Sequence, residues 1–131
     1  MTWQIAVVLV GALWGSAALS GWLAYASRKK TLKLNELIGY RTEIIMTNQE
    51  TWREAHAAAW PWTAASTACL ILSGFAVFLP LSNEALAAII ILGMVVLLAC
   101  ICAGAHRAQK VAREILAAAE DTTDEPLHVS K

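Results

Sequence analysis

The stretch ALAAIIILGMVVLLACICAGA, residues 85–105, decides the fold. It contains no Asp, Glu, Lys or Arg, and about 20 such residues are what a helix needs to cross the hydrocarbon core of a bilayer. In lipid an unpaired backbone amide costs several kcal/mol, so a run of this kind must satisfy its amides internally as a helix. Working outward, residues 57–79 and residues 3–26 are likewise free of ionised side chains. The sequence therefore predicts an all-α integral membrane protein with three transmembrane helices. A hydrophobic content of 58% excludes the charge-rich composition of ordinary soluble domains. The first run ends in Ala24, Tyr25 and Ala26, which would suit a cleavage site. No basic segment precedes it, so it reads as a retained helix rather than a signal peptide.

Charge gives the orientation. Lys and Arg balance Asp and Glu at 10 each, so nothing points to nucleic acid as a partner. Arg28, Lys29, Lys30, Lys33, Arg41 and Arg53 lie between the first and second runs, and Arg107, Lys110 and Arg113 follow the third. The connection at residues 80–84 has no cation. By the positive-inside rule the N-terminus is outside, and the polar segment and C-terminus are cytoplasmic. This is the topology expected of a multi-pass protein of the bacterial inner membrane. So short a connection makes helices two and three an antiparallel hairpin, with Ser82 or Asn83 as the cap of helix three. The basic cluster Arg28 to Lys30 is expected to contact lipid headgroups.

Five segments follow: helix one over 1–27, a polar loop and helix prologue over 28–56, the hairpin over 57–105, an amphipathic helix over 106–120, and a disordered tail over 121–131. Within the prologue, Thr47 and Glu50 have the spacing of a capping box. The helical pattern then runs without a break into helix two, where Pro61 removes one backbone bond and predicts a kink. Asn48, Trp52 and His56 share one face of that prologue. Arg41 is always charged and needs a partner near lipid, supplied by Glu43, Glu50, Glu54 or a lipid phosphate. The expected arrangement is a cytoplasmic-side cap formed by the loop and the prologue.

The order Asn35, Gly39, Arg41 and Thr42, then Trp52 and a polar residue four further on, His56, resembles the signature of the SdpI family. These are small bacterial membrane proteins named for an immunity protein against a secreted killing peptide. In that family an Asn-Gly-Arg-Thr loop precedes a helix bearing a Trp, and the polar residue after the Trp is commonly Asn, where this chain has His56. The resemblance extends over residues 35–79. It implies immunity or signalling against membrane-active peptides, with a peptide toxin or a cytoplasmic regulator as partner, and it marks Asn35, Gly39, Arg41, Thr42, Trp52 and His56 as the motif that forms the cap or binds the partner.

Catalysis is not expected. The apolar runs hold no carboxylate, lysine or arginine at membrane depth, where ion paths normally show themselves. No nucleophile motif, phosphate loop or metal-ligand spacing occurs, and Cys69, Cys100 and Cys102 suggest neither a disulfide nor a metal site. No cofactor is implied. Gly11 and Gly15 form a small-xxx-small pair suited to close helix packing, either within the bundle or between chains. Homo-oligomerisation or docking onto a larger membrane complex is expected of so small a unit, besides contact with the lipid bilayer. The alternative to the immunity reading is a structural accessory subunit of a larger bacterial membrane complex.

Overall fold

The computed structural model describes residues 2–123. Three helices follow one another: α1, Trp3–Arg28; α2, Gln49–Ala76; and α3, Asn83–Thr123. No strand occurs among the described residues. α1 and α3 are long and apolar enough to cross a membrane. α2 begins in the polar prologue and stops at Ala76, so its apolar part is shorter than the run at residues 57–79, and Thr63, Ser66, Thr67 and Ser73 dilute it.

Each end has a local cause. α1 closes in a Schellman turn: Thr31 N–H donates to the Ala26 carbonyl at 3.0 Å and Lys30 N–H to that of Ser27 at 3.1 Å. Lys30 takes the left-handed conformation, φ 56°, usually left to glycine in this turn. The cap of α2 is Asn48, one residue beyond the expected Thr47. Asn48 Oδ1 accepts from Thr51 N–H at 2.8 Å, while the Thr47 hydroxyl turns back to the Ile44 carbonyl at 2.9 Å. Ser82 caps α3, its Oγ accepting from Ala85 N–H at 3.2 Å. α2 passes through Pro61 as one helix.

α3 is also one helix. Its 41 residues rise about 60 Å, twice a bilayer core, so the separate helix expected at 106–120 is the continuation of α3. The helix runs three residues into the segment expected to be disordered, 121–131; the rest of that segment lies outside the described residues.

α2 packs against both other helices, and the backbones of α1 and α3 do not approach each other closely. Cys69 Sγ lies 3.1 Å from the Gly93 carbonyl, and Gly104 faces Trp62, so residue numbers fall along α3 as they rise along α2. Toward α1, the Trp14 ring fills the space where a side chain on Gly74 would lie and meets Phe75 edge-on at 5.2 Å. Further along, Thr67 Oγ1 donates to Ser20 Oγ at 2.9 Å.

Gly11 and Gly15 take no part in this packing. Both are exposed, and a methyl group added at either would meet nothing within 4 Å. The close approaches inside the bundle are at Gly21, Gly74, Gly93 and Gly104 instead. The packed core is likewise not at mid-bundle. Only 11% of the apolar window of α1 and 6% of that of α3 are buried, whereas Ala26, Leu32, Ile45, Trp52, Ala55, Ala59, Ala108 and Ala112 form a continuous buried cluster at the end closed by the loop.

Candidate functional site

The loop between α1 and α2 folds back over that cluster, and its course is set by a few side chains. Asn35 makes an Asx turn: Oδ1 accepts from the Leu37 and Ile38 amides, each at 2.9 Å, and Nδ2 donates to the Lys33 carbonyl at 3.0 Å. Such a side chain substitutes for missing backbone partners. Gln49, at the start of α2, clamps the preceding stretch. Its Oε1 accepts from Leu34 N–H at 2.8 Å and its Nε2 donates to the Leu32 carbonyl at 3.0 Å.

Gly39 lies at the closest approach of loop to helix. Its φ of +106° suits glycine, and an added Cβ would run into His56 Nε2 and come within 3.2 Å of the Trp52 ring. The next residue secures the contact. Tyr40 N–H donates to His56 Nε2 at 2.9 Å, and His56 Nδ1 lies 2.8 Å from the Trp52 carbonyl. A backbone amide only donates, so Nε2 carries the lone pair and Nδ1 the proton. The imidazole is neutral, 1% exposed, and stacked at a tilt on Trp52 with ring centroids 4.1 Å apart. Burial holds its pKa below the usual 6.5, and the hydrogen bond to the Trp52 carbonyl opposes that shift. The Tyr40 phenol reaches Gly104 of α3, and burial pushes its pKa up. The stretch 38–40 thus touches α2 and α3 together.

Of the six motif residues, Asn35, Gly39, Trp52 and His56 hold the loop in place. Thr42 starts the turn that follows, its carbonyl accepting from Met46 N–H at 3.0 Å; its hydroxyl is buried with no partner among the described residues. Trp52 is fully buried, which separates it from the interfacial aromatics.

Of the partners expected for Arg41, the carboxylates are not used. Arg41 is exposed and pairs with no carboxylate among the described residues; the ion pair found there is Lys30 with Glu54, at 2.8 Å. The pairing with Glu54 goes instead to Lys30 of the basic cluster, and Arg28 of the same cluster stacks over the Trp60 ring at 5.1 Å. Two of its three cations therefore bind protein groups rather than only lipid headgroups.

Two residues that fix the geometry, Tyr40 and Gln49, were absent from the sequence reading. Tyr40 acts mainly through its amide, which no side-chain pattern marks. The sign of Gln49 was a long polar side chain at the first position of a helix beside a loop.

No curated protein and no solved structure matches the chain. Residues 31–104 match the SdpI/YfhL protein family, a span that begins with the loop, contains the Gly39 to His56 contact and ends at the glycine under Tyr40. With more than half of its length matched, and two helices apolar enough to span a bilayer, this chain is a membrane protein and belongs to the SdpI/YfhL family.

Proposed function

We propose that the chain crosses the bacterial inner membrane three times, N-terminus outside and C-terminus in the cytoplasm, and acts in immunity or signalling against membrane-active peptides by binding a partner, without catalysis. The observation that carries this reading is the seating of Gly39 and Tyr40 on Trp52 and His56. The motif that resembles the family's is a folded loop, and it leaves Arg41 turned outward. α2 and α3 form the hairpin, and the loop is the cytoplasmic cap. The Lys and Arg distribution supports the orientation.

Two measurements test this. Reporters fused after Ser82 and after Lys131 should label on opposite sides of the membrane. Cells expressing the chain should survive a membrane-active killing peptide better than cells without it, and Gly39→Ala at matched membrane abundance should lose that advantage. Equal survival with and without the chain would refute the protective role. The second reading, an accessory subunit of a larger membrane complex, draws on the outward-facing Gly11 and Gly15, a surface suited to a neighbouring helix. Under that reading the chain co-purifies with other subunits and gives no protection.

A further inference from the structure

Because α1 and α3 both pack on α2 and their backbones do not approach each other, a groove runs between them, with α2 as its back wall and the loop crest Ile38, Gly39 and Tyr40 as its floor. Its volume is about 550 Å³, within the usual range for ligand pockets. Leu9, Leu13 and Leu23 line one side and Met94, Leu97 and Ile101 the other. Three of the hydroxyls along it are engaged by helix carbonyls: Ser20 with Thr63 at 3.5 Å, Thr63 with Ala59 at 3.4 Å and Ser66 with Trp62 at 3.0 Å. Ser16 adds one more hydroxyl to a lining that is otherwise mostly aliphatic, so the groove favours methylene groups over hydrogen-bonding partners.

Its dimensions choose between occupants. Even with the open space at its mouth counted, the groove holds about 1330 Å³, which over the roughly 21 Å of helix from Leu9 to Leu23 leaves a mean cross-section of roughly 63 Å², against roughly 80 Å² for a helix 10 Å across. A single hydrocarbon chain can be enclosed there and a helix cannot. Charge supplies the head. Arg41 follows Tyr40 of the floor, and Lys33 lines an adjoining cavity of about 530 Å³ that shares Ile38 with the groove. Both cations are exposed, and neither pairs with a carboxylate among the described residues.

We propose that this groove binds one acyl chain of an anionic phospholipid, with the phosphate held at the loop by Lys33 and Arg41. Only one hydrocarbon chain is enclosed, and the other remains in the bilayer. The site gives the outward-facing motif arginine a ligand whose oxygens match its planar fork of donors. The inference rests on the membrane-spanning part of the proposed function and is independent of peptide protection.

The test uses the full chain in vesicles of phosphatidylcholine with a minor fraction of phosphatidylglycerol. After release into mild detergent, native mass spectrometry counts the lipids retained per chain. The wild type should keep one phosphatidylglycerol in preference to phosphatidylcholine. Lys33→Gln and Arg41→Gln should each reduce that preference about fivefold, the worth of one cation near an anionic surface, while a lipid is still retained. Ala12→Phe, which fills the groove from α1, should abolish retention of both lipids. Leu97→Phe fills it from α3 and replaces Ala12→Phe if that variant does not fold. Equal retention of the two lipids, retention that survives both groove-filling variants, or a lipid-free dimer in place of the lipid complex would overturn the proposal. A chain that never enters the vesicle membrane would instead fail the spanning reading, which the reporter fusions detect separately.

Discussion

The Tyr40 amide donates to His56 Nε2 across 2.9 Å, and this bond fixes a neutral imidazole under the loop. A protonated His56 would carry hydrogens on both nitrogens, and Tyr40 N–H would then face a donor.

Stability should therefore fall in acid. His56 has a lowered folded pKa, so the unfolded chain takes up this proton first as pH falls. The contribution is complete above the ordinary value of 6.5 and is lost as pH drops below it toward the folded value, by at most about 1.4 kcal/mol per pH unit. His56→Gln, which keeps a neutral side chain able to accept a hydrogen bond, should flatten the dependence. Thermal midpoints in detergent from about pH 7.5 to about pH 5 measure it. Parallel curves for the two proteins would show that His56 is not the titrating group.

Gly39→Ala should destabilise the protein by about 1–3 kcal/mol through its left-handed backbone alone, with the overlap on His56 adding to that. Gly11→Ala meets nothing within 4 Å and should gain about 0.5–1 kcal/mol of helix stability. Denaturation of the two variants side by side provides the check. Losses of equal size would contradict the placement of Gly39.

Arg41→Lys should leave thermal stability unchanged within about 0.5 kcal/mol, as an exposed position without a protein partner does. Glu54→Gln should cost up to about 1 kcal/mol by weakening its partly exposed bond to Lys30. A larger loss from Arg41→Lys than from Glu54→Gln would mean that Arg41 has a structural partner after all.

Much of this could be read from the residues, and the failures share a cause. The apolar runs mark the helices because lipid leaves an uncharged segment no other backbone solution, and the short connection at residues 80–84 leaves little room for anything but a tight return. The order from Asn35 to His56 marks the contact region. What stays hidden is which of several equivalent partners is chosen. Glu54 is within reach of Lys30 only because the Schellman turn directs the loop that way, and no spacing along the chain encodes that. Gly11 and Gly15 have the right separation for packing, but the face turned toward α2 is set by Trp14 against Gly74 and Thr67 against Ser20. Tyr40 went unread because its decisive group is a backbone amide.

The central claim is that the loop is folded onto α2 through His56, and the exchange rate of a single amide tests it most directly. Hydrogen–deuterium exchange of Tyr40 N–H, followed by NMR in lipid nanodiscs above pH 7, should be slow in the wild type and fast in His56→Ala, while amides at the centre of α2 stay protected in both. A Tyr40 amide that exchanges in the wild type as fast as in His56→Ala would contradict the account, because the loop would then not be held by the histidine beneath it.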